Sequence, residues 1–404
     1  MADQWTQTTF DNFIKLNRGF DLPNRMIQKG EYPVVASTSV KAWHRESKVA
    51  GPGVVTGRSG SLGAVQYIET DFWPLNTTLY VKDFKGNDPR FVYYFLQTMH
   101  LENFNAGAGV PSLNQNHLHK LPVRIPNLEL QRKIAAVLSA YDALIANNTK
   151  RIEVQKKLAK QLYREWFVRI RAPGVGKGKS ARDLPTGWRS LTLGDACKVA
   201  RGSSPRPKND SRFFANGNIP WTKIADATAS NMYIYETRET INEFGATFSR
   251  HLPAGSLIIA TSGTLGFSIF LGVEACVHDG WIYLQDYKHN LKPVFVYYLI
   301  NSLTDHLNNL AYGAAIQNVN TDIIRQLPLT LPTEEVLQQF YDLVEPMHAS
   351  IQLLAKSNIL LIKQRNSLHG RLVSGQLPVA DAEIAFHSAS GLAEIKDEPE
   401  LVHA

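Results

Sequence analysis

Apolar residues recur at alternating spacings of three and four along two long stretches of this 404-residue chain. The first stripe runs Leu138, Tyr141, Ile145, Asn148, Ile152, Gln155, Ala159, Leu162 and Trp166. The second runs Phe340, Val344, Met347, Ile351, Leu354, Asn358, Leu361, Arg365, Leu368 and Leu372. A spacing of 3.5 held for about five heptads predicts two coiled-coil helices. Adding 206 to each position of the first stripe gives a position of the second, so the two share one register. Asn148, Gln155, Asn358 and Arg365 are polar seam positions that weaken packing and can fix register. The same spacing also suits two amphipathic helices docked on their own domains.

Ahead of each helix the pattern is different. Short β-rich runs such as GVVTG and SLIIATS alternate with glycine turns, and a short helix is predicted around FVYYFLQTM and FVYYLINSL. Each half ends in Leu-Pro-x-x-x-Pro, at 121–126 and 327–332. Proline stops one element there, and Asn127 and Thr333 stand where N-caps of the long helices belong.

These parallels extend to a duplication of the whole chain. Lys15-Leu16-Asn17-Arg18-Gly19 returns as Lys198-Val199-Ala200-Arg201-Gly202, and Gly30-Glu31-Tyr32-Pro33 as Gly217-Asn218-Ile219-Pro220. Ser59-Gly60-Ser61-Leu62-Gly63 matches Ser262-Gly263-Thr264-Leu265-Gly266, and Phe91-Val92-Tyr93-Tyr94 matches Phe295-Val296-Tyr297-Tyr298. Finally, 107–126 matches 313–332. The blocks keep their order, with offsets from 183 to 206. The predicted fold is therefore α+β: two similar mixed α/β domains joined by two long helices packed as an antiparallel intramolecular coiled coil. Predicted boundaries are 1–127, 128–171 (first helix), 172–182 (flexible linker), 183–332, 333–375 (second helix) and 376–404 (acidic tail). A helix over 128–171 would extend ~65 Å at ~1.5 Å per residue. The second helix must run back along the first, which puts the globular halves at opposite ends in this expectation, about a pseudo-two-fold suited to an extended ligand such as duplex DNA.

Charge adds a partner class. The net charge is +7, but the tail from Gln376 holds six acids against Lys396, so residues 1–375 sum to +12. The 128–171 segment carries ten Lys/Arg against four Asp/Glu. A basic body suits a polyanion, since released counterions favour phosphate contacts, although on charge alone a solvated basic helix face is the plainer reading. Cys197 and Cys276 are too few for a disulfide framework or zinc site and read as core thiols of a cytoplasmic protein. No apolar stretch approaches the ~18 residues of a membrane span, and MADQWTQTTF has no leader pattern.

Catalytic motifs do not accompany this organisation. No Walker A sequence occurs, and GRSGSLG at 57–63 lacks GxGxxG spacing, reading more simply as a tight turn. Neither the glycine-rich loop nor the Asn/Asp-Pro-Pro-aromatic run of a base methyltransferase is found, and His117 and His119 lack a third metal ligand. The polar loops suit nucleic acid instead. STSVKAWHRESK at 37–48 sets Ser37, Thr38, Lys41, His44, Arg45 and Lys48 around Trp43. Its counterpart region holds Arg206, Lys208, Arg212 and Lys223. The repeat blocks add Arg58, Ser59 and Asn114 in the first half, and Ser262, Thr264 and Asn318 in the second. Arg and Lys can read guanine, Asn adenine, and Ser and Thr less selectively; solvated loops explain the same residues equally well.

The helix end Leu162-Tyr163-Arg164-Glu165-Trp166-Phe167, the opening Leu184-Pro185-Thr186-Gly187-Trp188 and Leu193-Gly194-Asp195 carry a resemblance. So does the Leu-Pro-x-x-x-Pro exit before a helix with Gln131 and Ile134. Nearly the whole chain resembles the specificity subunit of type I restriction–modification enzymes. The resemblance implies two target-recognition domains, each reading half of an asymmetric split site in double-stranded DNA, and two antiparallel helical spacers. It implies two methyltransferase subunits clamped onto the chain, with motor-nuclease (restriction) subunits able to join. S-adenosylmethionine and ATP would then belong to the partners, with no cofactor or metal in this chain. The spacer and partner interface would draw on Tyr141, Ile145, Asn148, Ile152, Leu162, Trp166, Phe340, Met347, Ile351, Leu354, Asn358 and Leu361. The sequence departs from the family pattern at Trp5, where no Leu-Pro-x-Gly-Trp opens the domain, and at Leu368-His369-Gly370-Arg371-Leu372, which replaces Tyr-Arg-Glu-Trp-Phe. A DNA-modifying enzyme with an unrecognised site and a protein-only coiled-coil scaffold are the competing readings.

Overall fold

A computed structural model describes residues 5–107, 109–176, 184–208, 210–261, 266–303 and 320–379. Most of the acidic tail, part of the 172–182 linker, and Ser262, Thr264 and Asn318 lie outside the described residues. The chain divides into two compact units, one drawn from 1–145 and 361–404, the other from 146–360.

In the first unit, strand Trp5–Thr9 pairs antiparallel with the exit strand Pro122–Pro126. The missing opening signature therefore does not remove the first strand. A four-stranded antiparallel sheet follows in the order Lys15–Arg18, Thr78–Asp83, Gly53–Gly57, Val65–Ile68. A three-stranded sheet places Tyr32–Val35 between Val40–His44, antiparallel, and Trp73–Pro74, parallel. Helix Pro89–Thr98 starts at Asp88, whose carboxylate accepts from the Phe91 amide, with proline in the first turn, where a missing N–H costs nothing. Its face Phe91, Val92 and Phe95 packs with Phe10, Phe13, Leu16 and Leu79 in the core.

The second unit repeats the plan. Arg189–Thr192 pairs with Pro328–Leu331. Lys198–Arg201, Trp281–Gln285, Leu257–Ala260 and Ser268–Leu271 stand in the order of their first-unit counterparts, with Tyr233–Ile234 added at the edge. Ile219–Thr222 lies between Thr240–Ile241, antiparallel, and Ala275–Val277, parallel. The repeat glycines have a steric basis in this plan. A Cβ on Gly19 would sit 2.2 Å from the Leu75 carbonyl oxygen, and one on Gly202 would sit 2.2 Å from that of His278. Cys197 and Cys276 are free and buried, and burial pushes their thiols up to about 12 and about 11, well away from thiolate chemistry.

The long helices are Leu128–Tyr163 and Glu334–Val373. The Asn127 side chain accepts from the Leu130 amide at 2.9 Å, as its N-cap position predicts. The first helix is shorter than expected, about 54 Å at ~1.5 Å per residue. It breaks into a π turn at Arg164–Val168 because Tyr163, Trp166 and Phe167 turn into the aromatic core around Phe295 and Phe340. Trp166 and Phe340 thus lie in the core of the second unit together with Ile152, Ile351 and Leu354 of the same stripes, and Leu162 packs against that core.

Within the second unit, Asn148 donates to Asn358 at 3.0 Å and Gln155 to Ser350 at 3.0 Å. Partner numbers fall as helix numbers rise, so the packing is antiparallel. Within the first unit, Arg365 donates to Asp142 at 2.6 Å, in the same sense. Ile152, Ala159, Ile351 and Leu354 are buried on the predicted stripes, while Tyr141, Ile145, Met347 and Leu361 are half-buried. Asn148 is buried and bonded to Asn358, so replacing Asn358 by leucine leaves an amide unmatched, at a cost of about 1–3 kcal/mol. Replacing both asparagines by leucine should instead raise stability by about 1–2 kcal/mol while loosening register. Denaturant midpoints of the single and double variants measure the contrast; equal midpoints would contradict it.

The second helix also docks through a histidine. His348 is buried, with Nδ1 2.7 Å from the Tyr233 hydroxyl and Nε2 2.8 Å from that of Tyr298. Burial pushes its imidazole down to about 4, so the folded state stays neutral where the unfolded state protonates. Stability should be full above about pH 6.5 and fall toward pH 4, by up to ~3 kcal/mol. His348→Gln keeps hydrogen-bonding capacity without titrating, and its melting temperature should vary less across that interval than the wild type's. An unchanged slope would remove His348 from this role.

Candidate nucleic-acid interface

The polar residues singled out in the sequence fall into separate groups on each domain. In domain one, the Ser37 hydroxyl donates to the carbonyls of Ser59 and Thr77, at 3.2 and 3.0 Å. Arg58 and Ser59 both donate backbone N–H to Thr77, and Arg58 accepts from the Leu113 amide. Gly60 and Gly63 have φ of +83° and +88°, so the 57–63 segment is the glycine turn its sequence suggested. Ser37, Arg58 and Ser59 are thereby brought together beside the segment that leads to Asn114. The Asn114 side chain is spent on an N-cap, accepting from the Asn116 amide at 3.0 Å.

Thr38, Lys41 and Arg45 are exposed, but His44 is not. Its Nδ1 lies 3.0 Å from the Gln28 amide nitrogen and 3.1 Å from the Gln28 carbonyl oxygen. Its ring packs edge-on against Trp73 at 5.3 Å. Buried and committed in this way, His44 holds the 28–30 segment to the sheet and is withdrawn from the candidate contacts.

In domain two, Arg206 and Lys208 converge on Asp279, Lys208 at 3.2 Å. Burial opposes ionisation of that carboxyl, yet the Ser204 hydrogen bond and the two cations hold it below its ordinary value. The cluster therefore presents one net positive charge rather than two. Lys223 pairs with Glu239 and stands 4.7 Å from the Trp221 ring centre. Arg212 pairs with Asp210 at 2.6 Å. Sequence reading missed Asp279, which lies over seventy residues along the chain from Arg206 and Lys208, with no local pattern to join them.

Among the described residues no group of three or more His, Cys, Asp or Glu could hold a metal ion, and no helix is long and apolar enough to cross a membrane. A family model described as the type I restriction modification DNA specificity domain matches residues 3–156 and again 185–362. The chain belongs to this family. Two matches in one chain coincide with the two repeated domains and the adjoining helix segments.

Among relatives, the type I restriction enzyme MjaIX specificity subunit of Methanocaldococcus jannaschii is 26% identical, over 72% of this chain and 69% of that one. The MjaVIII specificity subunit of the same organism is 21% identical over 94% of both chains. The crystal structure of a type I restriction–modification S subunit from M. genitalium shares the fold, with a TM-score of 0.65 at 17% identity over 92% of this chain and 96% of that one. As a type I specificity subunit, the chain is a non-catalytic DNA-recognition component of a restriction–modification complex.

Proposed function

We propose that this specificity subunit binds an asymmetric, two-part site in double-stranded DNA, each domain reading one half. In this reading 1–127 and 183–332 are the reading domains, and 128–171 and 333–375 the spacers. The observation that carries it is the duplication. Each copy has its own sheets, closing strand pair and adjoining helix segments, while the polar groups on the two copies differ. The chain then directs two methyltransferase subunits, and motor-nuclease subunits, to the site in the cytoplasm. S-adenosylmethionine and ATP bind the partners rather than this chain.

The test is reconstitution. The chain with its methyltransferase partner should bind a DNA duplex carrying the site and methylate it, with affinity falling steeply as salt rises. The purified chain should transfer no methyl group and cut no DNA. Methylation or cleavage by the chain on its own would overturn the reading.

A further inference from the structure

We infer that the outward face of edge strand Val40–His44, centred on Trp43, is the base-reading element of domain one, with the indole packed on a thymine methyl in the major groove. The inference rests on the proposed DNA-reading role of that domain and names where the reading occurs.

The strand lies at the edge of its three-stranded sheet. Alternation sends Ala42 and His44 inward and leaves Trp43 outward; Lys41, at the irregularity opposite Val34 and Val35, and Arg45 beyond the strand are both exposed beside it. Trp43 is 56% exposed, and Val40 and Met26 are also exposed. The patch is tied to the neighbouring 24–30 segment. Lys41 Nζ donates to Asn24 Oδ1 at 3.0 Å, and the Arg45 amide donates to the Gln28 carbonyl at 3.1 Å. Gly30 approaches so closely that a Cβ there would sit 2.3 Å from the Arg45 Cα.

Charge complementarity selects the occupant. Arg25, Lys29, Lys41, Arg45 and Lys48 are all exposed, against Glu31 and Glu46 in the same stretch. The Arg45–Glu46 pair, at 3.4 Å on the open surface, withholds little of that charge. Strands of small sheets can read the major groove, where an apolar group can contact the thymine methyl while cations take phosphates or guanine. Lys41 and Arg45 flank the indole for that second task.

The second domain supplies an independent argument. Pro33 pairs with Trp43, and Pro220 pairs with Thr240. Tyr32 pairs with His44, and Ile219 with Ile241; both inward members, His44 and Ile241, are buried. A Cβ on Gly217 would meet the Ile241 backbone at 2.7 Å, much as Gly30 presses on Arg45. By this register Trp43 corresponds to Thr240, which is exposed, while the next outward position, Asn242, is spent capping the helix Glu243–Ala246. The backbone position is shared and the outward chemistry is exchanged, which two domains reading different half-sites require.

The test uses the full chain in complex with its methyltransferase partner, and duplexes carrying every single-base change in the mapped site. Trp43→Ala should lose about tenfold discrimination at one A·T pair of one half-site. Trp43→Phe should recover part of it, and the other half-site should be unaffected. Because Trp43 is exposed, the melting temperature should not change. Wild-type discrimination in Trp43→Ala, or a uniform weakening that spares discrimination, would overturn the assignment. Failure of the wild-type complex to select any site would instead overturn the proposed function, so the two failures are distinguishable.

Discussion

A chimera in which residues 1–126 are replaced by the corresponding domain of a relative is expected to modify a site with one half changed and the other intact. The junction follows from the fold. Strand Pro122–Pro126 pairs with Trp5–Thr9, so a cut after Pro126 moves the closing pair as one piece. The incoming domain must then cover Leu130, Ile134, Leu138 and Leu372, helix residues that complete the core of the first unit. Relatives whose helices present apolar residues at these positions are the suitable donors. The unchanged half-site is an internal control, since it is read only if the chimera folds and assembles. A site unaltered in both halves would sink the assignment of reading to domain one.

Removing one heptad from each long helix is expected to alter the gap between the half-sites while keeping both sequences. Residues 149–155 and 351–357 face each other in the antiparallel pair, just beyond the Asn148–Asn358 hydrogen bond. Excising both keeps the 3.5 spacing and the register. Seven residues correspond to about 10 Å of helix at ~1.5 Å per residue, or about three base pairs at ~3.4 Å each. Modified-base mapping should therefore show the same two half-sites with a gap shorter by about three base pairs. A constant gap would mean that the helices do not set the spacing. Excising one heptad alone mismatches every pair beyond the cut and should abolish modification.

Much of this architecture was legible in the sequence because it depends on periodicity. The stripes from Leu138 and Phe340 predicted which helix faces are buried, and Asn127 predicted where the first helix starts. Periodicity carried that helix on to 171, since the break after Tyr163 depends on tertiary packing of Tyr163, Trp166 and Phe167 against Phe295 and Phe340. Polar partners were equally hidden. Arg365 reads as a register device, but its carboxylate partner Asp142, which also accepts from the Tyr94 hydroxyl at 2.6 Å, lies outside both stripes. His44 is a different case. Composition placed it among candidate contacts, although strand alternation puts it on the same face as Ala42 and opposite Trp43. Reading that loop as a strand would have excluded it. The paired state of Arg206 and Lys208 needs three dimensions, because loop composition counts cations without counting the distant Asp279 that neutralises one.

The central claim is that this chain, through two domains, chooses the site on which its partners act. Genome-wide mapping of modified bases, in cells carrying the methyltransferase partner with and without this chain, tests it most directly. With the chain present, modified bases should fall in two short, different sequences separated by a gap of fixed length and free composition, and without it they should disappear. Modification within one continuous sequence, or a pattern that persists unchanged when the chain is removed, would contradict the claim.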